Sequence, residues 1–253
     1  MRVGGSSIYY KPQGERKENQ RLMELIDKKY QHDPTYGARR MQKYLLKRHG
    51  YKVNLKRVRR LMKKMGLRGI SPPKKTTISM EKGYTNLIKN LFVNRPNRVW
   101  CADITYVKVL GGFGYGVAII DLYSRKILSM KVSNSMDKEM CLEAAREAIK
   151  KYGAPKIIHT DKGKQFMSDE FIRLFKEQGV KISVGNMGFK DNIYIERFWR
   201  TYKYECIYLR EINTLKDLRE ITKEWVSYYN SDRLHQSLEY RTPNEVYYGT
   251  VGK

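Results

Sequence analysis

The sequence predicts an α/β domain built on a five-stranded mixed sheet flanked by helices, preceded by a small all-α, helix-turn-helix-like domain. Three observations lead there. Residues 16–68 carry apolar residues at helical spacing and much of the positive charge. Residues 71–97 break that pattern with Pro72-Pro73 and Arg95-Pro96-Asn97. From Val99 onward, β-branched and aromatic runs first follow one another as strands and then alternate with helices. The expected division is a first domain over 1–70, a linker over 71–97 and a second domain over 98–253.

In the first domain, Leu22, Leu25, Ile26 and Tyr30 mark one helix, and Met41, Tyr44 and Leu45 mark a second after Pro34-Thr35-Tyr36-Gly37. Asn54 reads as the N-cap of a third helix running from Leu55 to Met65. There Val58, Leu61, Met62 and Met65 face inward and Gly66 closes the helix. The outer face of that helix carries Lys56, Arg57, Arg59, Arg60, Lys63 and Lys64. Between Arg16 and Arg68 there are 18 Lys+Arg and 4 Asp+Glu, so 18 − 4 = +14 of the chain's total of +25 lies in these 53 residues. A solvated bundle would serve solubility with mixed charges. A one-signed excess on a third helix points instead to contact with nucleic acid.

Composition also excludes some classes. No run of 18 apolar residues occurs, and MRVGGSSIYYKPQGE has no hydrophobic signal core, so a cytoplasmic protein without a membrane partner is expected. Cys101, Cys141 and Cys206 are odd in number and far apart, as free thiols would be. The four histidines are scattered and no CxxC accompanies them, which argues against a structural zinc site.

In the second domain, residues 99–109, 115–122 and 126–132 read as three strands in hairpin succession. A helix over 137–152 follows, with Met140, Ala144, Ala148 and Tyr152 on one face. Next come a strand over 156–160, a helix over 168–178 and a strand over 180–184. A short helix around Leu87 to Leu91 is expected inside the linker. Acids are scarce, 26 against 51 Lys+Arg, and two occupy telling places. Asp103 lies inside the first strand, where Asp is disfavoured, and Asp161 ends the fourth, in KIIHTDKGKQF. Each alone has an ordinary explanation, an ion pair or an Asx turn before Gly163. A third acid, Glu196, stands in DNIYIERFWRTYKYE beside a helical seam of Ile195, Phe198, Tyr202, Cys206 and Leu209. Arg200 and Lys203 follow it on the same face.

Four blocks of the second domain, "NRVWCADITYV", "IIHTDKGKQF", "DNIYIERFWRTYKYE" and "YYNSDRLHQSLEYRTPNEVY", resemble the integrase core of bacterial insertion-sequence transposases of family three, relatives of retroviral integrases. The first domain is similar to that family's helix-turn-helix-like segment through "SSIYYKP", "YGARRMQKYL" and "YKVNLKRVRRLMKKMGL". The resemblance implies a ribonuclease H-like core and an Asp–Asp–Glu triad at Asp103, Asp161 and Glu196. That triad would hold two Mg²⁺ ions, for which Mn²⁺ can substitute. Asp103 would bridge both ions, Asp161 and Glu196 would each hold one, and His159 and Gln165 would stand behind them. Carboxylates suit so hard a cation, and paired ions serve phosphodiester transfer without a side-chain nucleophile. It also implies that Arg200 and Lys203 hold phosphate, and that the protein cuts element ends and joins them to target DNA. The partners implied are further copies of the chain and an upstream-frame product of the same element, as a fusion. Two departures stand out. Only 34 residues separate Asp161 from Glu196, one fewer than the family spacing, with the gap in "VGNMGFKDN". Lys162 and Lys164 stand where Gln and Ser are more usual.

The tail allows two readings. Arg233, His235 and Arg241 either touch DNA or belong to a segment packed back on the core through Trp225, Tyr228 and Tyr229. Two other functions fit the same residues: a nuclease or resolvase of the same fold, and a DNA-binding regulator without catalysis.

Overall fold

A computed structural model describes residues 14–70, 85–110, 112–185 and 192–249. The chain divides into two compact units after Ser71. The "SSIYYKP" block and most of the shortened "VGNMGFKDN" loop lie outside the described residues, as do residues 71–84 of the expected linker.

The first unit is three helices, α1 (Lys17–His32), α2 (Ala38–His49) and α3 (Leu55–Lys64). Leu22, Ile26, Met41, Leu45, Val58 and Leu61 close a core around Tyr36, which the turn between α1 and α2 delivers fully buried. Asn54 caps α3 by accepting the Lys56 N–H at 2.9 Å, and Gly50 closes α2 with φ +72°, a conformation that suits glycine. The basic face of α3 is not uniform. Arg57 pairs with Glu18 and Asn19, while Arg60 and Lys64 share Glu15. Lys56, Arg59 and Lys63, spaced by three and four residues, form a separate exposed stripe.

The second unit has strands β1 (Val99–Val109), β2 (Gly112–Asp121), β3 (Ile127–Ser133), β4 (Ile157–Thr160) and β5 (Lys181–Val184). Its helices are α4 (Lys138–Tyr152), α5 (Asp169–Lys176), α6 (Ile193–Glu205), α7 (Leu215–Ser231) and α8 (Pro243–Tyr248). The sheet runs β3-β2-β1-β4-β5, with β1 antiparallel to β2 and parallel to β4. Alternation along the strands feeds two cores. Val99, Cys101, Ala118 and Ile120 pack with α6 and α7, whereas Trp100, Ala102, Val117 and Ile119 pack with α4 and α5. This is the ribonuclease H-like arrangement, and it sets β1 beside β4 in the middle of the sheet.

Two expectations need correction, and one open choice is decided. Residues 87–91 make a turn, with Leu91 N–H to Ile88 O, and not a helix; Ile88, Leu91 and Val93 pack against the sheet's core. Helix α6 stops at Glu205, so Leu209 leaves the seam for an exposed 3-10 turn and Ile207 is buried in its place. In the tail, Arg233 and His235 are buried. Arg233 forks onto Glu205, the last residue of α6, at 2.5 and 2.7 Å and faces His235 Nε2 at 3.2 Å. The tail therefore packs on the core, and of its three candidate cations only Arg241 keeps a partly exposed side chain. Cys101, Cys141 and Cys206 are buried free thiols, and no helix among the described residues is long and apolar enough to cross a membrane.

Candidate active site

Strand register brings the first two acids together. Cys101 pairs with His159 in the parallel β1–β4 ladder; Asp103 lies two residues further along β1, and Asp161 two residues further on, just past the end of β4. The two are close enough for the charge of Asp161 to act on Asp103. Asp161 is exposed, and its Oδ1 accepts the Gly163 N–H at 2.9 Å, so the Asx turn is present. A Cβ on Gly163 would come within 2.9 Å of that same oxygen and within 3.4 Å of Phe166. Gly163→Ala is therefore expected to swing Asp161 aside and break the Asx turn, which a crystal structure of the variant would show.

Asp103 is largely shielded and belongs to the face of β1 that α6 covers. Trp199 donates its indole N–H to Asp103 Oδ2 at 3.0 Å. Glu196, three residues before Trp199, shares its helix face and is half-buried. Burial, helped by the charge of Asp161 and to a smaller extent that of Glu196, pushes the Asp103 carboxyl up to about 7; the hydrogen bonds from Ile104 and Trp199 oppose the rise. Burial also raises Glu196. Glu196 thus lies within electrostatic reach of Asp103, but among the described residues no three His, Cys, Asp or Glu side chains are gathered around one ion-sized space.

The remaining candidates separate. Arg200 is exposed, and Lys203 lies over the Tyr106 ring, 4.9 Å from its centre. His159 is buried on Ser183 Oγ at 2.9 Å, and Gln165 donates to the Met136 carbonyl at 3.0 Å. Trp199 escaped the sequence reading, although a tryptophan one turn after a half-sheltered acid was the available signal.

Residues 93–188 match the family described as Integrase core domain, residues 178–243 match a second family of the same description, and residues 17–75 match an HTH-like domain. The transposase for insertion sequence element IS904 of Lactococcus lactis is 32% identical over 248 residues, which span 94% of this chain and 98% of that one. The chain belongs to the transposases of insertion sequences. The transposase of element IS629 from Shigella sonnei is 34% identical across 86% of this chain and 76% of its own length. Family three fits these relatives. A chain in the cryo-electron microscopy structure of the simian T-cell lymphotropic virus intasome in complex with PP2A regulatory subunit B56 gamma is 14% identical, covering 89% of the transposase and 74% of itself. It superposes with a TM-score of 0.51, a likeness of fold.

Proposed function

We propose that the transposase opens a phosphodiester at each element end and joins the freed 3′-hydroxyl to target DNA, with Asp103, Asp161 and Glu196 as its catalytic and metal-holding residues. The observation that carries this reading is the Cys101–His159 pairing of adjacent parallel strands, with Asp103 and Asp161 each two residues further along, together with the Glu196 helix pinned to Asp103 through Trp199. The donor set fits a hard divalent cation. It is all carboxylate oxygen, and the readiness of Asp103 to hold a proton near neutral pH reflects its burial first and then the charges of Asp161 and Glu196, which a cation would offset. Asp103 would touch both of two Mg²⁺ or Mn²⁺ ions, with Asp161 and Glu196 taking one each. Bound there, the ions would neutralise charge on the attacking and leaving oxygens.

The protein's own residues do the remaining work. Trp199 fixes the rotamer of Asp103, and Gly163 aims Asp161. Arg200 and Lys203 line the helix beyond Glu196, where they would hold phosphates of the reacting end. In the first unit, Lys56, Arg59 and Lys63 are the cations best placed for a DNA backbone, since Arg57, Arg60 and Lys64 already neutralise acids. The partners would be element-end and target DNA, further copies of the chain and an upstream-frame product supplied as a fusion, at work on DNA in the bacterial cytoplasm.

The test incubates the protein and an upstream-frame product with labelled element ends, target DNA and Mg²⁺, for wild type and Asp161→Asn. Joined product in the wild type that falls at least 10³-fold in the variant, with equal DNA binding, is the expected result. Cleavage without joining would mark a nuclease, and binding without either product would mark a regulator; both outcomes overturn the proposal.

A further inference from the structure

The β1–β2 hairpin next to the candidate site presents a surface that the catalytic reading leaves unused. Tyr106, Leu110 and Phe113 are 62%, 77% and 52% exposed. Tyr106 and Phe113 meet edge to face, 5.8 Å between ring centres at 84°. Lys203 lies over the Tyr106 ring and Lys108 is exposed between the two aromatic positions. The rings are held in place. Val107 is buried one residue after Tyr106, and the Leu110 N–H bonds the Ile212 carbonyl at 3.3 Å, which ties the end of the hairpin to the body of the unit.

We propose that Tyr106 and Phe113 form a stacking platform for an unpaired nucleotide base of the DNA whose reacting phosphate lies beside the Asp103 site. The proposal rests on the strand-transfer reading above and names a further part of its DNA substrate. Three facts select this occupant. A chain of net charge +25, with Lys108 and Lys203 bordering the rings, favours a polyanion over an apolar protein surface. Aromatic rings interleaved with cations are the means by which proteins hold bases outside a duplex, because a base inside the stack has no free face. Tyr106 is three residues beyond Asp103 on β1, roughly 10 Å or about three base steps away, with its side chain on the opposite face. A strand joining the two would pass the side of β1 that β4 leaves unpaired after Cys101. The other route between them is α6: Lys203 lies one turn beyond Trp199, the residue that bonds Asp103.

The platform is testable apart from catalysis, with full-length protein in EDTA so that no strand is cut. Affinities are measured for a duplex bearing a three-nucleotide overhang and for the same duplex whose overhang is abasic, which keeps the phosphates and removes the bases. Wild type is expected to prefer the base-bearing overhang about ten-fold, and 2-aminopurine in the overhang should be quenched on binding. Tyr106→Ala with Phe113→Ala should abolish both effects while abasic DNA binds as before, and Tyr106→Phe should retain them. Equal wild-type affinity for the two DNAs, or a preference that survives the double alanine variant, would overturn the platform and leave the catalytic reading standing. Failure to bind either DNA would overturn both.

Discussion

Asp103→Asn should make the metal-free transposase more stable and, in the same molecule, unable to join DNA. The carboxyl is raised from 3.8 to about 7 in the folded protein, so folding holds a proton that the unfolded chain releases. The unfolded state binds fewer protons between these two values, and stability therefore falls as pH rises from about 4 to about 7 and is flat above. Asparagine removes that cost and keeps an oxygen for the Trp199 indole. The gain should reach roughly 2–4 kcal/mol above pH 7, or about 5–10 °C in the melting temperature of a unit this size, and vanish near pH 4. Thermal melts across that range in EDTA check it; a variant no more stable than wild type at pH 8 would mean that Asp103 is not strained by its surroundings. Such an exchange of stability against function is usual where charges are gathered for catalysis.

Arg233→Ala is expected to cost about 3–5 kcal/mol, because it removes the bidentate guanidinium from the buried Glu205 carboxylate. Both side chains are under a tenth exposed, and their pairing is bidentate. The loss should appear as a lower urea midpoint. Arg233→Met combined with Glu205→Leu should recover most of it, since an apolar pair of similar volume leaves no buried charge. Glu205 ends the helix that carries Glu196, so the single variant should also lower joining by more than its effect on folded fraction explains. A merely structural tail contact would leave the activity per folded molecule unchanged.

The sequence revealed the site unevenly, for physical reasons. Asp103 and Asp161 were legible because an acid inside one strand and an acid at the end of another contradict their surroundings. That β1 lies beside β4 was not legible, because strand order is set by packing and not by local pattern. The three helices of the first unit were legible from apolar spacing, and Asn54 from cap chemistry. What escaped were pairings set by packing across long separations in sequence. Trp199 reaches Asp103 over 96 residues and Arg233 reaches Glu205 over 28. The basic face of α3 likewise looked uniform until the segment at the start of α1 placed Glu15 and Glu18 against half of it. The end of α6 was misjudged because a hydrophobic period continues through Leu209 while the backbone turns at Cys206.

The central claim is that Asp103, Asp161 and Glu196 act together on shared divalent ions. Electron paramagnetic resonance of free Mn²⁺ during titration tests it most directly, with wild type compared with Asp103→Asn, Asp161→Asn and Glu196→Gln in the presence of end DNA. Two ions bound per wild-type chain, and at least one lost in every variant, Glu196→Gln included, is the expected result. Wild-type binding retained by Glu196→Gln would contradict it, because α6 would then carry no ligand.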